Sequence, residues 1–157
     1  MKKVPITRQG YRELMRELSR LKREDRVQAT KAVEEARAHG DLTENAEYEA
    51  AKERQAFVER KIHDIESRLT RSEIIDIGNL STDRVVFGSV VLLENLDTGE
   101  RVQYQLVGPD ESDVKQGKIS SSSPVGLALM RKKVDDEVSV QTPGGVRNFV
   151  VIRISSA

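Results

Sequence analysis

The chain contains no cysteine and no tryptophan, and aromatic residues make up only 4% of it. Without cysteine there is neither a disulfide framework nor a thiolate metal site, and the composition fits a reducing cytoplasm. A hydrophobic fraction of 37% beside a charged fraction of 33% is lean for a single compact core. It suits an elongated helical element joined to a modest globule. Charge of one sign is also lacking: Lys plus Arg number 26, and so do Asp plus Glu. Net charge therefore supplies no broad attraction to nucleic acid or to a membrane surface. No segment approaches the ~20 apolar residues of a membrane span. No apolar run follows Lys2 and Lys3, so the start is not read as a signal peptide. A soluble, cytoplasmic protein of one or two small domains is expected within 157 residues.

What is present is helical periodicity. Thr7 has the chemistry of an N-cap, and Tyr11, Leu14, Leu18 and Leu21 then step by three and four with charge between them. Smaller residues continue the stripe: Val27, Ala29, Ala32, Val33 and Ala36. Gly40 ends the run as a C-terminal glycine does. A second run extends from about Leu42 to Leu69, with Val58, Ile62, Ile65 and Leu69 on one face. A turn this short joins antiparallel neighbours. At ~1.5 Å per residue each arm would be roughly 45 Å long, with bulky residues at the base and alanines toward the tip.

The pattern changes near Ser72. Short β-branched segments follow: Glu73-Ile74-Ile75-Asp76-Ile77, Val85-Val86-Phe87 and Val90-Val91-Leu92-Leu93. Asp97-Thr98-Gly99-Glu100 reads as a hairpin turn before the alternation of Val102, Tyr104 and Leu106. Gly108-Pro109 is a turn, Ser123-Pro124 opens a short helix, and strands at Val138 to Val140 and Val146 to Ile154 flank Pro143-Gly144-Gly145. The expected fold is α+β: a coiled-coil hairpin over residues 1–76, then a small, mostly antiparallel sheet with one short helix over residues 77–157.

Asp41 and Glu44 stand where the helical run must reverse. Two readings are open. As helix caps they form a capping-box pattern at the positive end of the second helix, and spacing alone favours this. As metal ligands they offer hard oxygens of the kind Mg²⁺ takes, but too few for a dedicated cage. The remaining ligands would then come from a partner.

The stretch Glu35-Ala36-Arg37-Ala38-His39-Gly40-Asp41-Leu42-Thr43-Glu44-Asn45-Ala46-Glu47-Tyr48 resembles the hairpin tip of the bacterial Gre family of transcript-cleavage factors, in its GreA branch. Ser123-Pro124, Lys133-Val134-Asp135-Asp136-Glu137-Val138 and Thr142-Pro143-Gly144-Gly145 resemble that family's C-terminal domain, so the similarity runs along essentially the whole chain. The resemblance implies a monomeric elongation factor whose hairpin enters the secondary channel of bacterial RNA polymerase. There it stimulates the polymerase's own Mg-dependent cleavage of backtracked nascent RNA, and it is not itself an enzyme. Asp41 matches the acid that helps hold the second Mg²⁺, an ion not bound stably by the factor alone. Glu44 matches the acid that positions or activates the attacking water. Arg37 and Lys52 fall in the family's basic patch, which meets the nascent RNA 3′ end. Ser122, Ser123 and Pro124 match the loop that docks on the polymerase. Relatives often carry a larger polar residue where Ser122 stands.

The C-terminal half also resembles an FKBP-like fold, a class that includes prolyl isomerases. Only Phe87, Tyr104 and Phe149 supply aromatic surface there, all in strand patterns that read more simply as core, which argues against isomerase activity. Two further rivals are an inhibitor using the same channel and a coiled-coil adaptor outside transcription. Inhibitory homologues carry a more acidic tip, whereas this chain keeps Asp41-Leu42-Thr43-Glu44-Asn45. Glu47 is expected to support the helix dipole, His39 to act as a C-cap or join the basic patch, and Asn45 and Tyr48 to orient the acids or meet the polymerase.

Overall fold

The computed structural model describes residues 2–39, 45–77 and 82–156. Its contacts separate two units: residues 11–71, and residues 1–10 together with 72–157. The first ten residues thus group in space with the C-terminal half, although they precede the hairpin in sequence.

The hairpin unit is built from one long helical run and its return. α1 (Arg8–Arg20) passes through a π-helical turn (Leu21–Asp25) into α2 (Arg26–Ala38), and α3 (Ala46–Arg71) packs against α2. No proline falls between residues 8 and 71, so no backbone N–H is lost inside either run. The Thr7 hydroxyl caps α1 by accepting from the Gly10 amide at 3.0 Å. Leu14, Leu21, Ala29, Val33 and Ala36 are buried on the outgoing run; Ala51, Val58, Ile62 and Ile65 are buried on the return.

Of the stripe expected beyond Leu21, Ala29, Val33 and Ala36 are buried and Ala32 is half-buried, but Val27 is 45% exposed. The π turn is the cause: the Arg26 amide bonds back to the Leu21 carbonyl, one residue further than an α-helix allows. A strict step of seven from Leu14 and Leu21 would bring Gln28 inward. The extra residue in the wide turn moves that place to Ala29, and Val33 and Ala36 follow from it.

The other unit holds two sheets. β1 (Val4–Thr7) pairs in parallel with β2 (Ser72–Ile75), Ile6 opposite Ile74. The larger sheet has the order β5-β4-β3-β7-β6, with β3 (Val90–Asn95), β4 (Arg101–Val107), β5 (Lys118–Ser120), β6 (Glu137–Thr142) and β7 (Gly145–Ser155). All its pairings are antiparallel except β4 with β5, so the sheet is mixed. Val91, Leu93, Leu106, Val138, Val140, Val151 and Ile154 form its core with Leu129 of the short helix α4 (Pro124–Leu129). The α+β fold class expected from the sequence, a helical hairpin followed by a sheet unit with one short helix, is what the chain adopts.

Two local expectations are corrected. Val85-Val86-Phe87 is not a strand: Val85 bonds to the Arg131 and Lys132 backbone, and the chain turns at Gly88 with φ of +92°. Phe87 lies in that turn, while Tyr104 and Phe149 are only half-buried against the core. β1 and β5, each only a few residues long, carry no alternation that marks them in the sequence. Among the described residues, no helix is long and apolar enough to cross a membrane.

Candidate functional site

The hairpin end is bounded by the last turn of α2 and the first turn of α3. The tip acids Asp41 and Glu44 lie in residues 40–44, outside the described residues. Their flanks are defined. His39 is the C-cap of α2, its amide donating to the Ala36 carbonyl at 3.2 Å. Across the turn, the Asn45 side-chain oxygen accepts from the Tyr48 amide at 3.1 Å, which is N-cap geometry for α3. The capping role that spacing assigns to Asp41 is therefore held, for α3, by Asn45. The same Asn45 amide donates through Nδ2 to the Ala36 carbonyl at 3.0 Å and so touches both helix ends.

Alanines let the two helices approach here. Ala32, Ala36, Ala50 and Ala51 line an open cleft of about 380 Å³ between α2 and α3. Glu47, expected only to favour the helix dipole, reaches across it: His39 Nδ1 lies 3.3 Å from Glu47 Oε2. Both side chains are well exposed, so the link is weak. Of the basic pair, Arg37 is exposed in the last turn of α2, and Lys52 is exposed on α3 with its Nζ 5.3 Å from the centre of the Tyr48 ring. That cation–π contact ties Lys52 to the tip aromatic and leaves its charge in solvent. Arg54, further along α3, donates to Gln28 at 3.2 Å. Among the described residues there is no cluster of three or more His, Asp or Glu able to hold a metal ion.

The expected docking residues are contiguous and pre-shaped. Ser122 is exposed, its hydroxyl 2.8 Å from that of Ser120 and its amide donating to the Ser120 hydroxyl at 3.1 Å. Ser123 caps α4 by accepting from the Gly126 amide at 3.1 Å, and donates its own proton to the Ser120 carbonyl at 2.6 Å. Pro124 follows at the first helical position, where its missing N–H costs nothing. Gly126 is required: a Cβ there would press into the Ser120 carbonyl and the Ser121 backbone. Leu127, on the same helix, is 64% exposed and lies three residues from Pro124. Residues three apart share a helix face, so an apolar side chain extends the exposed loop.

Two family models cover nearly all of the chain. The model described as "Transcription elongation factor, N-terminal" matches residues 4–74, and "Transcription elongation factor, GreA/GreB, C-term" matches residues 80–156. Transcription elongation factor GreA of Syntrophus aciditrophicus is 51% identical over 98% of this chain and 96% of the relative. GreA of Desulfotalea psychrophila is likewise 51% identical, with the same coverage. Among solved structures, GreA factor homolog 1 (Gfh1) of Thermus thermophilus is 38% identical, covering 99% of this chain and all of that one, with a TM-score of 0.46. This chain belongs to the GreA/GreB family of transcription elongation factors.

Proposed function

We propose that this elongation factor inserts its helical hairpin into the secondary channel of bacterial RNA polymerase in the cytoplasm, as a monomer, and stimulates cleavage of backtracked nascent RNA. The observation that carries this reading is the joint one of family membership over both halves and an intact Gly40-Asp41-Leu42-Thr43-Glu44-Asn45 sequence at the hairpin end.

Asp41 and Glu44 are hard oxygen donors, and their number fits a Mg²⁺ whose remaining ligands come from the polymerase and the RNA. When bound, that second ion would clamp the reacting phosphate oxygens and lower the charge cost of in-line displacement. In this reading Asp41 holds the ion. Glu44 accepts a hydrogen bond from the attacking water and fixes its line of approach. Arg37 and Lys52 meet phosphates of the displaced RNA 3′ end, which positions the strand without reading its bases. Ser122, Ser123 and Pro124, extended by Leu127, dock on the polymerase. The factor alone is not expected to cut RNA, since its two acids complete a site that the polymerase owns.

A stalled, backtracked elongation complex with labelled RNA tests the reading. Adding the protein with Mg²⁺ is expected to shorten the RNA from its 3′ end and restore extension. Binding that slows transcription and leaves the RNA intact would instead indicate an inhibitor.

A further inference from the structure

Asn45 makes two side-chain hydrogen bonds with opposite chemistry. Its oxygen accepts from the Tyr48 amide at 3.1 Å, and its nitrogen donates to the Ala36 carbonyl at 3.0 Å. The assignment of the two amide ends is forced, because a rotated amide would set N–H against N–H and oxygen against oxygen. One partner is an unsatisfied amide of the first turn of α3, and the other is a carbonyl of the last turn of α2. Asparagine is suited to this: aspartate keeps the acceptor and loses the donor, while serine keeps a short cap and loses the reach. Ala36 is 4% exposed and Asn45 is half-buried, so water competes poorly for this bridge. The His39–Glu47 pair spans the same two helix ends but is far more exposed.

We infer that Asn45 is a positioning residue for the tip carboxylates. This rests on the cleavage-factor reading above. By tying the end of α2 to the start of α3, the Asn45 amide sets the separation of the two helix ends between which Asp41 and Glu44 fall in sequence. A carboxylate that must share an ion with another protein's ligands is sensitive to that spacing, since a misplacement of ~1 Å can cost about a hundredfold in rate.

The test separates the bridge from the cap. Asn45→Asp and Asn45→Ser both keep an N-cap acceptor and lose the bridge; Asn45→Ala loses both. Both cap-retaining variants are expected to match wild type in helicity and in polymerase binding. Their RNA cleavage at saturating factor is expected to fall about tenfold or more, and Asn45→Ser, which adds no charge, should need more Mg²⁺ for half-maximal cleavage. Because the chain has no cysteine, Glu34→Cys with Glu49→Cys gives a unique spin-label pair on exposed positions of α2 and α3. The distance distribution in the full chain is expected to be narrow in wild type and broader in both cap-retaining variants. Cleavage at wild-type rates by Asn45→Asp and Asn45→Ser, with only Asn45→Ala impaired, would overturn the inference and leave Asn45 a simple cap. An unchanged label distance would also overturn it. If wild type itself cuts no RNA, the cleavage reading fails, and the label distances still decide whether Asn45 holds the helix ends.

Discussion

The backbone amide of Thr7 donates to the Glu111 carboxylate at 2.6 Å, across 104 positions of sequence. The same carboxylate accepts from the Thr7 hydroxyl and from the Gly108 amide, the latter at 2.9 Å. Thr7 is both the last residue of β1 and the cap of α1, and it is almost fully buried. One side chain thus fastens the N-terminal strand to the turn after β4. Removing it strands two amides and a hydroxyl in a poorly hydrated place. Glu111→Ala is expected to destabilise the fold by about 2 kcal/mol. Urea unfolding would measure this, with Glu111→Gln in between because it keeps one acceptor. A loss below ~0.5 kcal/mol would show that the carboxylate is dispensable.

Glycine is needed next to that fastening for reasons of space. A Cβ on Gly108 would drive into the Pro5 carbonyl, which cannot move without disturbing β1. Gly99, in the β3–β4 turn, has φ of +77° with open space around it. Gly99→Ala therefore meets only backbone strain, about 1 kcal/mol. Gly108→Ala meets overpacking against fixed backbone and is expected to cost about 3 kcal/mol. Thermal melts of the two variants should rank in that order; equal melting temperatures would contradict the close approach of β1 to this turn.

Arg26 and Glu59 join the two sides of the hairpin through paired contacts of 2.7 and 3.0 Å. The hydrogen bond from Arg26, more than its charge, holds the Glu59 carboxyl below the ordinary glutamate range despite some desolvation. A depressed folded value means that the pair stabilises the fold at pH above that ordinary range. The contribution fades as pH falls through the lowered value. Both side chains are substantially exposed, so the effect is small. Glu59→Gln is expected to lower Tm by about one to two degrees at pH 7. The difference should vanish in acid, once pH has fallen through the lowered Glu59 value and the carboxyl is protonated, and it should shrink in high salt. A difference independent of pH would mean that packing, not charge, holds the contact.

Periodicity in the sequence carried the hairpin well. Thr7 as cap, Leu14 and Leu21, and Val58, Ile62 and Ile65 were legible because a 3.6-residue repeat with charges between leaves little choice of buried face. Beyond Leu21 the small residues Ala29, Val33 and Ala36 were legible as the buried face, but Val27 was wrongly grouped with them. A π turn in a charged segment such as Lys22-Arg23-Glu24-Asp25 leaves no compositional mark, yet it shifts the register that turns Val27 outward. In the sheet unit, alternation marked β4, β6 and β7. β1 pairs in parallel with a segment far away in sequence, and β5 is only three residues long, so nothing local records either pairing. At the hairpin end the tip motif was legible from Asp41-Leu42-Thr43-Glu44. The double role of Asn45 was not, because it depends on the Ala36 carbonyl nine residues earlier, which has no side-chain signature. A half-buried Asn directly before a helix, following a turn that closes a hairpin, is the signal that could have raised it.

The central claim is that the hairpin carries two carboxylates that complete a catalytic site in another protein. It is tested most directly by RNA cleavage in a backtracked polymerase complex with wild type, Asp41→Asn and Glu44→Gln, each confirmed to bind the polymerase with equal affinity. The account predicts rapid shortening of the RNA from its 3′ end with wild type, and a fall of about a hundredfold or more with either variant. Asp41→Asn is expected to recover part of its rate as Mg²⁺ is raised. Cleavage by both variants at the wild-type rate would contradict the account and leave the two acids without a part in the chemistry.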